Sequence, residues 1–211
     1  MLEDGSVYEG TARGDFKETA CEIVFNTSMT GYVEILTDPS YAGQGVVMTY
    51  PMIGNYGISR EDFESERLQP SAFIVHELSS DPSNFRCTDT IENLLKEYNI
   101  PCISGVDTRA VVKKLRESGT MRGVLTSDIG DRERLMDVIK SFRQIDLVGS
   151  VTAKQTKVYG EENTGAEIAL MDFGTKRNII NNLVKRNCIV TVYPSFTSAD
   201  DCLLYTSPSP R

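Results

Sequence analysis

Histidine is almost missing from this sequence, with His76 the only one. That scarcity argues against an imidazole-based zinc site, because no His/Cys/Asp cluster has metal-ligand spacing. Long apolar runs are missing too: none reaches the about 18 residues a bilayer-spanning helix needs. The opening MLEDGSVYEG lacks the apolar core of a signal peptide, and the expectation is a cytoplasmic protein. No lysine or arginine block exceeds two residues, and 30 acidic against 22 basic residues give a net charge of −8. Nucleic acid and anionic membranes are therefore poor partners. The five cysteines, Cys21, Cys87, Cys102, Cys188 and Cys202, are odd in number and show no paired spacing. They read as reduced thiols, and the Asn26-Thr27-Ser28 sequon has no glycan meaning in that setting. Nucleotide motifs are missing as well. There is no GxxxxGK[ST], and Gly43-x-Gly45 lacks a third glycine and a following helix. Asp172-Phe173-Gly174 spells a kinase metal motif, but no catalytic loop precedes it, and a strand-to-helix turn accounts for it.

What is present centres on Asn26 to Pro51, NTSMTGYVEILTDPSYAGQGVVMTYP. Val33 to Thr37 and Val46 to Tyr50 read as two buried strands around a polar loop. Pro39 fixes its own φ and pushes Asp38 out of the helical region, and Gly43 and Gly45 relax the backbone beyond it. Such a loop can present Asp38, Ser40, Tyr41 and Gln44 to a ligand or a neighbouring domain. The plainer reading is a turn in which Ser40 bonds its own backbone. Asp38 and Glu34, as a carboxylate pair, read as solvated surface.

In chain order, strands are expected at Val7 to Arg13, Ala20 to Asn26 and Ser71 to Leu78, with His76 in a core or structural role inside the last. Ser59 to Arg67 reads as solvated helix or loop. Asp89 to Tyr98 has helical spacing, and Cys102 to Gly105 a short strand. A helix capped by Asp107 or Thr108 then runs to Gly119, followed by a strand at Met121 to Thr126 and a helix over Asp131 to Phe142. Residues 1–150 thus form one α+β domain of the β/β/α type, and the polar stretch 151–167 reads as a linker. Beyond it come a strand at Ile168 to Phe173, a turn at Gly174, a helix over Thr175 to Asn187 burying Ile179, Ile180, Leu183 and Val184, and a strand at Ile189 to Tyr193. Together these are a βαβ unit of a parallel sheet, so the class is α/β overall. Lys185 and Arg186 suit the negative end of that helix.

Two stretches resemble a known family. Ala20 to Pro51, centred on EIVFNTSMTGYVEILTDPSY, and Ala169 to Pro194, ALMDFGTKRNIINNLVKRNCIVTVYP, resemble the small subunit of glutamine-hydrolysing carbamoyl-phosphate synthetase. PMIGNYG and SGVDTRAVVKKLRESG also fit, so the resemblance covers most of residues 2–201. It implies that 1–150 is that subunit's N-terminal domain. It also implies that 168–201 begins a flavodoxin-like class I glutamine amidotransferase domain, truncated here, and that 202–211, with two prolines where a helix is expected, is a non-native tail. In such a subunit a cysteine nucleophile and a histidine base hydrolyse glutamine. The ammonia passes to a large subunit, which uses ATP and magnesium to make carbamoyl phosphate from bicarbonate for arginine or pyrimidine synthesis.

A thiolate attacks the carboxamide, and an adjacent imidazole lowers its pKa and serves the leaving ammonia. No cysteine here sits on a glycine-flanked strand-to-helix turn. The nucleophile and base are therefore expected outside this chain, which should be inactive alone and hold no cofactor or metal. The resemblance gives one site residue, Ser40, as a contact to glutamine across the domain interface. The competing reading is a non-catalytic docking module attached to a doubly wound nucleotide-binding domain.

Overall fold

The computed structural model describes residues 1–14, 16–143 and 146–202. The chain divides into two units, Met1–Ile145 and Asp146–Arg211. The expected non-native tail lies outside the described residues from 203 onward.

In the first unit the elements run β1 (Thr11–Arg13), β2 (Thr19–Asn26), α1 (Tyr32–Thr37), β3 (Gln44–Met48), β4 (Met52–Ile53), β5 (Ala72–Ile74), β6 (Glu77–Leu78), α2 (Ile91–Glu97), β7 (Cys102–Ser104), α3 (Thr108–Ser118), β8 (Met121–Leu125) and α4 (Arg132–Ser141). Six strands form one sheet in the order β1-β7-β5-β3-β2-β8. The inner four run parallel, and the two edges, β1 and β8, are antiparallel to their neighbours.

Period-two alternation sorts the side chains of this sheet. Val46, Met48 and Phe73 point into one core with Tyr32, Leu36, Ile91 and Leu95 from α1 and α2. Val47, Ala72 and Ile74 point into the other with Val111 and Leu115 from α3. A parallel sheet covered on both faces needs unbroken apolar strands, which is why GVVM and AFI contain no polar partner for solvent. Leu135 and Ile139 of α4 pack on Val124 at the β8 edge.

The expected strand at Val33 to Thr37 is a helix, α1. Because β2 and β3 pair in parallel, Val24 opposite Val46, the chain must cross over between them, and a hairpin is impossible. Tyr32, Val33 and Leu36, all within 1% of full burial, share one helical face. Gly31, at φ 81°, turns the chain into that helix. The β-branched residues Val33 and Ile35 gave the misleading strand signal; tertiary packing overrides it in a six-residue helix.

Other boundaries also move. Residues 7–10 are irregular, and only Thr11–Arg13 pairs. The run Ser71 to Leu78 breaks at Val75 and His76: β5 stays in the large sheet, while β6 pairs with β4. His76 is exposed rather than core, with Nδ1 3.0 Å from the Val106 carbonyl. Within Ser59 to Arg67 a single 3-10 turn forms, and Phe63 and Glu64 are buried rather than solvated. Of the two cap candidates, Asp107 takes the role, accepting from Ala110 N at 2.9 Å, while Asp131, expected inside the next helix, caps it by accepting from Arg134 N at 2.9 Å.

The second unit contains α5 (Leu147–Val151), β9 (Lys157–Tyr159), β10 (Glu167–Asp172), α6 (Arg177–Val184), β11 (Ile189–Pro194) and α7 (Ala199–Cys202). β10-α6-β11 is the expected βαβ unit, its strands parallel with Ile168 opposite Val190. The stretch 151–167, expected to be a linker, is built into this unit instead. β9 adds antiparallel to β11, and buried Thr152 donates its hydroxyl to the Asp172 carbonyl at 2.6 Å. α6 is shorter than expected and buries Ile180 but leaves Ile179 49% exposed.

Candidate functional site

The crossover from α1 into β3 fixes the loop that carries the candidate residues. Thr37 donates its hydroxyl to Val33 O at 2.9 Å, ending the helix, and accepts from Glu64 N at 2.9 Å. Asp38 follows in an extended conformation and is 6% exposed. Its Oδ1 accepts from Ser40 N at 2.9 Å, with Pro39 opening a 3-10 turn over Pro39–Tyr41. Gly43, at φ 75°, sends the chain into β3, and its N–H is held by the Gln69 carbonyl at 3.2 Å.

This arrangement separates the four residues the loop was expected to present. Asp38 turns inward, so its reading as solvated surface fails: it is the cap of the turn. Tyr41 accepts from Asn26 Nδ2 at 2.8 Å, and Gln44 donates to Glu22 Oε2 at 2.7 Å across the β2–β3 pair. Ser40 is exposed, and its hydroxyl makes no hydrogen bond among the described residues. The turn is closed by the Asp38 carboxylate and the Ser40 backbone, so the plainer role of the Ser40 hydroxyl, bonding its own backbone, is vacant.

A second polar feature was not legible in the sequence. Tyr32 and Tyr56 stack with ring centroids 4.2 Å apart. Tyr56 accepts from Gly31 N at 2.6 Å, and Tyr32 donates to Gly57 O at 2.9 Å. This clamp borders a cavity of about 320 Å³ lined by Thr30, Glu34, Ser59, Asp62, Asn84 and Arg86 among others. Glu34 is half-buried on α1 rather than solvated. Burial pushes its carboxyl pKa up, and the charges of Asp62 and Glu64 add to that. Arg86 donates to Asp62 at 2.6 Å and to Glu61 at 3.2 Å. A larger cavity, about 420 Å³, lies against the α3 face but is mostly apolar, lined by Val7, Phe16, Ile103 and Val111 among others.

The five thiols differ in setting. Burial pushes Cys21 and Cys102 up to about 12, leaving almost no thiolate at neutral pH. The Cys87, Cys188 and Cys202 thiols point at the backbone carbonyls of Asp89, Arg186 and Ala199. Asp172, the first residue of the Asp-Phe-Gly triplet, is a turn-former. Its carboxylate accepts from Gly174 N at 3.0 Å, Thr175 N at 2.7 Å and Ala153 N at 2.7 Å. No helix among the described residues is long and apolar enough to cross a membrane.

The family described as carbamoyl-phosphate synthase small chain, CPSase domain, matches residues 1–125. The carbamoyl phosphate synthase small chain of Clostridium perfringens (strain 13 / Type A) is 47% identical over 204 residues, covering 96% of this chain and 58% of the relative. That of Listeria monocytogenes serotype 4b is 44% identical, covering 96% and 56%. That of Archaeoglobus fulgidus is 47% identical over 198 residues, covering 92% and 54%. The chain thus spans little more than half the length of the relatives it matches.

Proposed function

The chain belongs to the carbamoyl-phosphate synthase small-chain family, and on that premise we propose that it is part of a cytoplasmic, glutamine-hydrolysing subunit that feeds ammonia to a large chain. Its first unit docks on that chain and presents Ser40 to the glutamine. The large chain then uses ATP and magnesium to make carbamoyl phosphate from bicarbonate. The observation that carries the Ser40 role is its exposed, unengaged hydroxyl on a turn held by Pro39 and the inward Asp38 cap. A neutral hydroxyl both donates and accepts, so it suits either the carboxylate or the ammonium of a zwitterionic amino acid without adding charge.

The nucleophile and its base belong, in this reading, to the part of the relatives that this chain does not match. The 211 residues alone therefore release no ammonia from glutamine. The alternative, a docking module on a nucleotide-binding domain, is not favoured by relatives that carry the small-chain name across 96% of the chain. The test is reconstitution of a full-length version with its large chain. Glutamine should then drive carbamoyl phosphate formation, while the present chain with the same large chain supports synthesis only from added ammonia. Glutamine-driven synthesis by the present chain, abolished by mutation of one of its cysteines, would contradict the assignment.

A further inference from the structure

The turn that carries Ser40 closes on itself. Ser40 N donates to Asp38 Oδ1 at 2.9 Å, Tyr41 N to Asp38 O at 3.0 Å and Ala42 N to Pro39 O at 3.1 Å. Those bonds shape the turn, but they all lie within it. Its place in the unit is set by residues 63–69, which come later in the chain. Phe63 and Leu68 bury their side chains in the same core as Tyr32 and Leu36 of α1, so this segment is rooted in the folded unit.

From that root it holds both sides of the turn. On the upstream side Gln69 N donates to Leu36 O at 2.9 Å, Glu64 N to Thr37 Oγ1 at 2.9 Å and Ser65 Oγ to Thr37 O at 2.5 Å. On the downstream side Gly43 N donates to Gln69 O at 3.2 Å. Gln69 thus grips both ends with its own backbone, the end of α1 by its N–H and the entry to β3 by its carbonyl. Its side chain adds a further link: Nε2 donates to Ser65 Oγ at 2.8 Å, which leaves the single Ser65 hydroxyl proton for the Thr37 carbonyl. Gln69 is buried, and an apolar side chain would fill the same space without the cost of burying an amide. What the amide contributes is the orientation of Ser65.

We propose that Ser65 and Gln69 are positioning residues for glutamine binding, acting only through Ser40: they set the height and tilt of its turn so that the hydroxyl meets the substrate. The proposal rests on the reading of Ser40 as the glutamine contact and adds to it the side chains that hold the contact in place. Displacing a binding group by about 1 Å is enough to lose its hydrogen bond, so residues that never touch the substrate can govern its affinity.

The test uses a full-length version reconstituted with its large chain. Ser65→Ala removes the donor to Thr37, and Gln69→Leu removes the amide while keeping the backbone bonds of that residue. Each is made with and without Ser40→Ala, and the glutamine KM, the glutamine-driven kcat and the ammonia-driven rate are measured. In the wild-type background each should raise the glutamine KM by about threefold or more, leaving kcat and the ammonia-driven rate as they were. In the Ser40→Ala background the same changes should add nothing, because the hydroxyl they position is gone. A KM raised by Ser40→Ala but untouched by either variant overturns the positioning role and leaves the Ser40 reading intact. A KM indifferent to Ser40→Ala overturns both. An effect of Ser65→Ala or Gln69→Leu that persists at full size without the Ser40 hydroxyl assigns it to a general loosening of the unit and also overturns the proposal.

Discussion

The two units bury their sheets very differently. In the first, helices cover both faces of a six-stranded sheet, and Val46, Val47, Met48, Ala72 and Phe73 have no measurable exposure. In the second, a three-stranded sheet gathers around Ile180, Val190 and Val192, while Phe173, Ile179 and Phe196 stand 61%, 49% and 75% exposed. A parallel strand pair normally has both faces covered. Where it does not, side-chain burial is small and the conformational entropy of ordering the chain is offset less completely. The candidate loop lies in the better-closed unit, between α1 and β3 of its core.

Truncating one core residue in each unit should separate the two most strongly. Phe73→Ala should cost about 3–5 kcal/mol, since the cavity left in a two-sided core cannot collapse fully. Ile180→Ala should lie near the low end for such a change, about 2 kcal/mol, because its site is only partly enclosed. Urea unfolding followed by a probe in each unit would read both, and equal costs would show the second unit to be as well packed as the first.

The second unit is held together in large part at one carboxylate. Asp172 gathers the backbone N–H groups of Ala153, Gly174 and Thr175. Asp172→Ala should cost about 1–3 kcal/mol by leaving those donors unmet. In hydrogen exchange the amides of β10 and β11 should lose protection while those of β2 and β3 keep theirs. Even without the mutation, residues beyond about 165 should exchange faster and be cut first by protease. Equal protection across the two units would contradict this ordering.

The smallest effect concerns acid. Lys114 holds the Asp4 carboxyl at about 2, and Arg134 and Thr126 hold Glu18 at about 2, below ordinary values of 3.8 and 4.5. A carboxyl depressed in the folded state contributes stability that is present above its unfolded pKa and lost as pH falls through the folded one. Both groups lie near the surface, so water screens most of the gain. The first unit should lose a little stability between pH 4.5 and about 2, and Arg134→Gln should reduce that slope. An unchanged slope would remove the ion pair as its source.

The same comparison explains what was legible in the sequence. Apolar runs announce strands, so β2, β3, β7 and β8 stood out, and Asp107, Gly119 and Asp131 marked helix ends. α1 did not, because Val33, Ile35 and Thr37 alternate like a strand, and only the parallel pairing of β2 with β3 requires a crossover. β9 was hidden for the opposite reason: an exposed edge strand such as Lys157–Tyr159 has no apolar pattern to read. Turn chemistry marked the loop of Ser40, but its role at a site came only from the resemblance of that stretch to the small-subunit family. The cavity of Glu34, Asp62 and Arg86 was not, since its residues come from three separated segments that only the fold brings together.

The most direct measurement is the glutamine KM of full-length Ser40→Ala beside its rate with ammonia. A lost hydrogen bond to a charged group should raise the KM about tenfold or more, with ammonia-driven synthesis and the melting temperature unchanged. An unchanged KM would contradict the placing of Ser40 at the glutamine.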